Sequence, residues 1–456
     1  MKFARKVRYV GAIIVLGVLA AFVPSAVEAQ NRNQLIERGR QLFNTETFNG
    51  NGRTCATCHP ATNNFTLDPA FIAKLPQSDP LFVAETNPDL AELEDSRALR
   101  QRALVTENAD GFDRPGVLRG VPHTLGLPVS VAPDDDADSD QVFPDGTKPV
   151  HALGWTADGS PEDGSLRQFA VGAVVQHLTK TMNRVEGVDF RLPTDAELDA
   201  LEAFQRSLGR QREVDIAALT FLDDAAQRGK DLFEGVGINR SCSACHANAG
   251  SNVLDDVNPR IVFNNNFDTG TRQLGTGPAE GGFGQDHQAG VPGFGNGTIN
   301  TPALIEAADT APFFHNNSAA TLEDSIRFYT TPTFANSPSG SRGVFVLNDA
   351  AIADIAAFLR ALNARENAHS AFAGVIDARR QRNNAELLQA VAADVEDGIE
   401  VLEASKLAPD AVAAFEDAAR LLAEVATRPK ALGEAQTVLR DIPSLIAVES
   451  ETVAGN

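Results

Sequence analysis

The four cysteines of this 456-residue chain fall into two copies of one five-residue pattern, Cys55-Ala56-Thr57-Cys58-His59 and Cys242-Ser243-Ala244-Cys245-His246. Cysteines at i and i+3 lie about one helical turn apart. Both thiols of a pair can therefore add to the two vinyl groups of one haem, while the adjacent histidine reaches the iron as proximal ligand. Disulfides or a zinc site are the competing uses of four cysteines. A histidine directly after the second cysteine, twice over, favours two covalently bound haem c groups. Cys55, Cys58, Cys242 and Cys245 would be the attachment points, with His59 and His246 on the two irons.

The chain also repeats itself around each motif. Glu37-Arg-Gly39-Arg-Gln-Leu-Phe43 precedes the first and Gln227-Arg-Gly229-Lys-Asp-Leu-Phe233 the second, each reading as an amphipathic helix. Later, Asp195–Leu208 matches Asp349–Leu362, with apolar residues at i, i+3, i+6 and i+10 and with Thr194 and Asn348 in N-cap positions. Opening helix, motif, long loop and closing helix make up one cytochrome c-like unit. The expected architecture is mainly α: two tandem cytochrome c-like haem domains, 30–212 and 213–363, followed by a C-terminal helical extension, 364–456. The extension is rich in Ala, Glu, Leu and Arg. It reads as a helical hairpin or small bundle with helices over Ala385–Ser405 and Ala411–Ala426.

Residues 1–29 read as a signal peptide. Lys2, Arg5, Lys6 and Arg8 precede an apolar run, and Val27-Glu28-Ala29 is a small-x-small cleavage site. The mature chain would then start at Gln30, in the periplasm, with no stable membrane span left. A formal net charge of −22 argues against nucleic acid and suits a small basic redox protein as electron donor, a cytochrome c or a cupredoxin.

A more specific signature follows the second motif: Asn300-Thr-Pro-Ala-Leu304, then Thr310-Ala-Pro312-Phe-Phe-His315-Asn-Asn-Ser-Ala-Ala-Thr321-Leu322-Glu323. With both Cys-x-x-Cys-His motifs, this stretch resembles the bacterial di-haem cytochrome c peroxidases and the related MauG enzymes, over roughly residues 35–363. The resemblance implies reduction of peroxide or activation of oxygen, with electrons relayed between two haems. It places Tyr329, fourteen residues after His315, where the peroxidases have an axial methionine and MauG an iron-bound tyrosine. It makes Trp155 the electron relay between the haems, and His315 a group hydrogen-bonded near haem. It also implies one calcium ion between the units, at positions matching Asp113, Thr310 and Pro312.

The resemblance breaks where the peroxidases carry a glutamine and a glutamate over the open haem. The matching segment, Leu166–Met182, has no carboxylate there, and Gln176 and His177 are the candidate replacements. The sixth position of the first iron is open to His123, His151 or His177, or to no side chain at all. Two other readings stay beside the enzyme: a non-catalytic di-haem electron carrier, and a di-haem oxygenase resembling the rubber oxygenases.

Overall fold

Two glycines set how the helices of each unit cross. A computed structural model describes residues 26–108, 111–113, 116–127, 166–210, 214–250, 252–254, 262–264, 266–274, 299–381 and 384–450, and these are mainly helical. In the first unit, α1 (Ala26–Thr45) opens, and α2 (Leu166–His177) and α3 (Asp195–Gln205) close. A Cβ on Gly39 of α1 would stand 1.8 Å from the carbonyl oxygen of Ala200 on α3. Phe43 and Phe204 complete the crossing with ring centroids 5.2 Å apart. Thr194 caps α3 as its sequence predicts: its hydroxyl accepts from the Glu197 N–H, and the Glu197 carboxylate accepts from the Thr194 N–H at 2.9 Å.

The second unit repeats the device. It opens with α4 (Asp224–Phe233), continues through α5 (Leu322–Phe328) and closes with α6 (Asp349–Arg380). A Cβ on Gly229 would stand 1.8 Å from the Asp354 carbonyl oxygen. Phe233 meets Phe358 at 5.3 Å. Asn348 caps α6, its side-chain oxygen accepting from the Ala351 N–H at 2.8 Å.

Residue 363, the expected end of the second unit, falls inside α6, which runs on to Arg380. The extension grows from it as α7 (Ala385–Ser405), α8 (Pro409–Ala423) and α9 (Ala431–Ile446). Val375 of α6, Val391 and Leu402 of α7, Phe415 of α8 and Leu439 of α9 share one buried core with Phe233 and Phe358. A short antiparallel pairing of Leu219–Phe221 with Ala447–Glu449 ties the end of the extension to the start of the second unit. No described helix is long and apolar enough to cross a membrane.

The first unit also holds an antiparallel hairpin, β1 (Leu104–Glu107) with β2 (Val117–Gly120), Glu107 opposite Val117. Its far end meets the segment carrying the second-unit signature. The Gly120 N–H donates to His315 O at 2.8 Å, and the Asn317 amide donates to Arg102 O at 2.9 Å. Asn64, just after the first motif, donates to Asp309 O at 3.1 Å. The 309–317 segment is thus the seam between the two units.

Candidate functional site

The two cysteine motifs adopt one local structure. His59 has φ −122°, ψ 62° and His246 has φ −118°, ψ 62°. Each histidine N–H donates to the carbonyl of the first cysteine of its motif at 3.0 Å, which curls the motif into a single turn. All four cysteines are free thiols, none bonded to another. Burial, with the neighbouring thiol second, pushes Cys55 and Cys242 up to about 12. Burial likewise raises Cys58 to about 11, and Cys245 is also raised. Burial thus keeps these sulfurs protonated in the free chain.

Both imidazoles are oriented from behind. Nδ1 of His59 donates to Phe65 O at 2.8 Å. Nδ1 of His246 donates to Pro302 O at 3.1 Å and Gly250 O at 3.2 Å. Metal-bound histidines characteristically anchor the second nitrogen in this way, so that Nε2 is presented as a neutral donor. Burial lowers both rings to about 4, which keeps them neutral at physiological pH. The residues present therefore fit a haem c at each motif: two thiols for the vinyl groups and one aimed imidazole for the iron.

Around the second motif, Tyr329 caps α5 and packs in an aromatic cluster with Phe328, Phe334 and Phe345, at centroid distances of 5.5, 5.1 and 5.9 Å. Cys242 belongs to the same cluster. Burial, and after it the charges of Cys242 and Cys245, push the Tyr329 phenol well above its usual value. Tyr329 thus shares one cluster with Cys242 of the second motif.

Around the first motif, the histidines separate. His123 follows β2 directly, and burial with the nearby His59 ring lowers it to about 4. Its Nδ1 is buried without a hydrogen-bond partner among the described residues. His177, at the end of α2, is turned away to a carboxylate: its Nε2 donates to Glu107 Oε1 at 2.6 Å. Burial opposes its charge, but Glu107 and Glu94 outweigh burial and raise it to about 9. The ring is thus hydrogen-bonded on its Nε2 side, with Nδ1 facing Glu94. Gln176 is 6% exposed. Its amide donates to Thr106 O at 3.1 Å and Asn108 Oδ1 at 3.0 Å, clamping α2 to β1.

His315 lies in the seam, 7% exposed, and is lowered to about 3 by burial and by Arg119 beside it. Thr310 is buried, its hydroxyl donating to Glu306 O at 2.8 Å, while Asp113 sits on the exposed turn of the hairpin. Among the described residues no group of three or more His, Cys, Asp or Glu side chains is arranged to hold a metal ion. Trp155, His151 and residues 1–25 of the expected signal peptide lie outside the described residues.

The sequence reading missed the row of charges along the first motif. Arg53, two residues before Cys55, donates through Nη1 to Glu94 Oε1 at 2.8 Å and through Nη2 to Leu81 O at 2.7 Å. Glu94 also accepts from the Thr106 N–H at 2.7 Å, and His177 Nδ1 lies 3.5 Å from its Oε1. Arg53, Glu94 and His177 lie 41, 83 and 124 residues apart in sequence, so no local pattern joins them.

Comparison with solved structures finds 27 similar chains, among them the following two. One is described as a MauG-like protein associated with microbial copper homeostasis: 21% identity, 72% of this chain and 87% of that chain covered, TM-score 0.39. The other is the diheme peroxidase BthA from Burkholderia thailandensis E264: 16% identity, 72% and 85% covered, TM-score 0.35. No family model matches the chain, and no curated protein matches it.

Proposed function

We propose that this chain is an exported di-haem c-type cytochrome that reduces peroxide with electrons from a small redox protein. The observation that carries this reading is the doubled motif geometry: two histidines with the same backbone angles, each with Nδ1 on a backbone carbonyl and each beside two unpaired thiols. Haem iron supplies storage of single electrons and, where an axial position is free, a place for a peroxide oxygen. The protein's own groups divide the labour. Cys55 and Cys58, and Cys242 and Cys245, fix the two groups covalently. His59 and His246 orient the irons. Tyr329 would hold the second haem together with His246, and a hard phenolate there would favour the ferric state. Trp155 would carry electrons between the units. The chemistry would then fall to the first unit.

The calcium ion implied by the resemblance belongs to this reading as well; unfolding the protein with and without a chelator tests it. Export is tested by N-terminal sequencing of the mature chain, with Gln30 expected first.

A second reading has one observation in its favour. Among the described residues His123 Nδ1 has no hydrogen-bond partner, and a histidine so placed near His59 would close the first iron and leave a pure electron carrier. One experiment separates the two. Hydrogen peroxide is added to the purified holoprotein with a reduced basic cytochrome c. Oxidation of two donor molecules per peroxide supports the enzyme; no donor oxidation leaves the carrier.

A further inference from the structure

We infer that Glu107, positioned by His177, is the proton-transfer residue serving the first haem motif. The inference rests on the peroxide-reducing function proposed above and names the acid for it. The segment Leu166–Met182 contains no carboxylate, but the fold brings one to it from elsewhere. Glu107 ends β1, and β2 leads straight into Val121, Pro122 and His123. Val121 O accepts the Thr66 hydroxyl, and Val105 and Val121 share an apolar cluster with Cys58. The hairpin is therefore a wall of the first cradle, and Glu107 stands on its edge.

The charged groups facing this place come from every element around it. Arg53 and Asp79 come from the motif side, Glu94 from the loop before β1, Glu107 from β1 and His177 from α2, with Arg184 beyond. The Cys58 thiol feels Arg53, Glu94, Glu107 and Asp79, and the His59 ring feels His177. Arg184 feels both Glu94 and Glu107.

The row has a closed end and an open end. The Arg53 and Glu94 side chains are 1% and 0% exposed and are tied to each other and to backbone, so Glu94 is a fixed charge. The His177 and Glu107 side chains are 13% and 18% exposed, so protons reach them from solvent. The His177 backbone is held close to the motif, its carbonyl accepting from the Asn51 amide at 2.9 Å. A partly exposed carboxylate paired at 2.6 Å with an imidazole, within electrostatic reach of the Cys58 thiol, has the geometry of a proton relay.

The step balances as follows. Reduction of one peroxide breaks its O–O bond, consumes two electrons from the reduced redox protein and two protons, and yields two waters. The proton shared by the pair passes through Glu107 to the departing oxygen, leaving neutral imidazole and carboxylate. The pair then takes a proton from solvent and delivers the second by the same route.

The test compares wild-type holoprotein with Glu107→Gln, Glu107→Asp and His177→Gln, each with haem content measured first. The readouts are kcat for hydrogen peroxide across pH and KM for reduced cytochrome c. Glu107→Gln should lower kcat by about 100-fold or more, with haem content and donor KM unchanged. Glu107→Asp should recover part of the loss. His177→Gln should remove the limb of the pH profile near 9. Glu107→Gln within about threefold of an active wild type, with the same pH profile, would overturn the inference alone. A wild type that consumes no peroxide would overturn the inference and the proposed function together.

Discussion

Gly229 on the opening helix of the second unit lies directly against Asp354 on the closing helix, so that a Cβ would come within 1.8 Å of the Asp354 carbonyl oxygen; Gly39 stands in the same relation to Ala200 in the first unit. Both glycines are the third residue of the repeated heptapeptide. The repeat is thus a requirement for close helix crossing. Gly39→Ala and Gly229→Ala should each destabilise the holoprotein by about 1–3 kcal/mol, since backbone atoms cannot move aside like side chains. Denaturant titration monitored by circular dichroism checks this. Unchanged midpoints would remove the crossings from the account.

His177 should make stability depend on pH. Its folded value, about 9, exceeds the ordinary histidine value of 6.5, because Glu107 and Glu94 outweigh burial. A group bound to its proton more tightly in the fold contributes fully below the unfolded value and loses that contribution as pH rises through the folded one. His177→Gln should therefore cost about 3–5 kcal/mol at pH 6, the usual cost of leaving a buried charge unpaired. The gap from wild type should narrow steadily towards pH 9 and above. A gap independent of pH would contradict this.

Asp397 on α7 should act on the docking of the extension. It is raised to about 8 by burial and by Asp309, partly offset by a hydrogen bond from Asn64 of the first unit. A carboxyl raised in this way stabilises the fold when protonated, and that contribution fades as pH climbs from about 4 to about 8. Asp397→Asn should therefore unfold at higher denaturant than wild type at pH 8, and at the same concentration near pH 4.5. Proteolysis at the α6–α7 turn gives an independent readout.

Tyr329→Phe keeps the ring contacts with Phe328, Phe334 and Phe345 and removes only the hydroxyl. Stability should be preserved. The midpoint potential of the second haem should rise, because the hard oxygen that favours the ferric iron is gone. Spectroelectrochemistry should show one of two transitions displaced. Two unmoved transitions would take Tyr329 off the iron.

What was legible in the sequence was periodic or local. The motifs, the repeated Arg-Gly heptapeptides and the caps Thr194 and Asn348 all act over a few residues, and the fold uses the heptapeptide glycines and the caps as their spacing predicts. What escaped was long-range. The hairpin Leu104–Glu107/Val117–Gly120 is only four residues per strand and carries no strong alternation. The Arg53–Glu94–His177–Glu107 row joins four separate stretches. At residue 363 the closing helix continues outward without a stop signal: Ala364, Ala368 and Ala371 carry the buried face onward.

The central claim is that each Cys-x-x-Cys-His motif binds its own haem covalently, and mass spectrometry of the intact protein, paired with the alkaline pyridine spectrum after acid–acetone extraction, tests it most directly. The account predicts a mass increase of two haems that survives extraction, falling to one in Cys55→Ala/Cys58→Ala and to one in Cys242→Ala/Cys245→Ala. A chain with unmodified cysteines, or with haem that extraction removes, would contradict it.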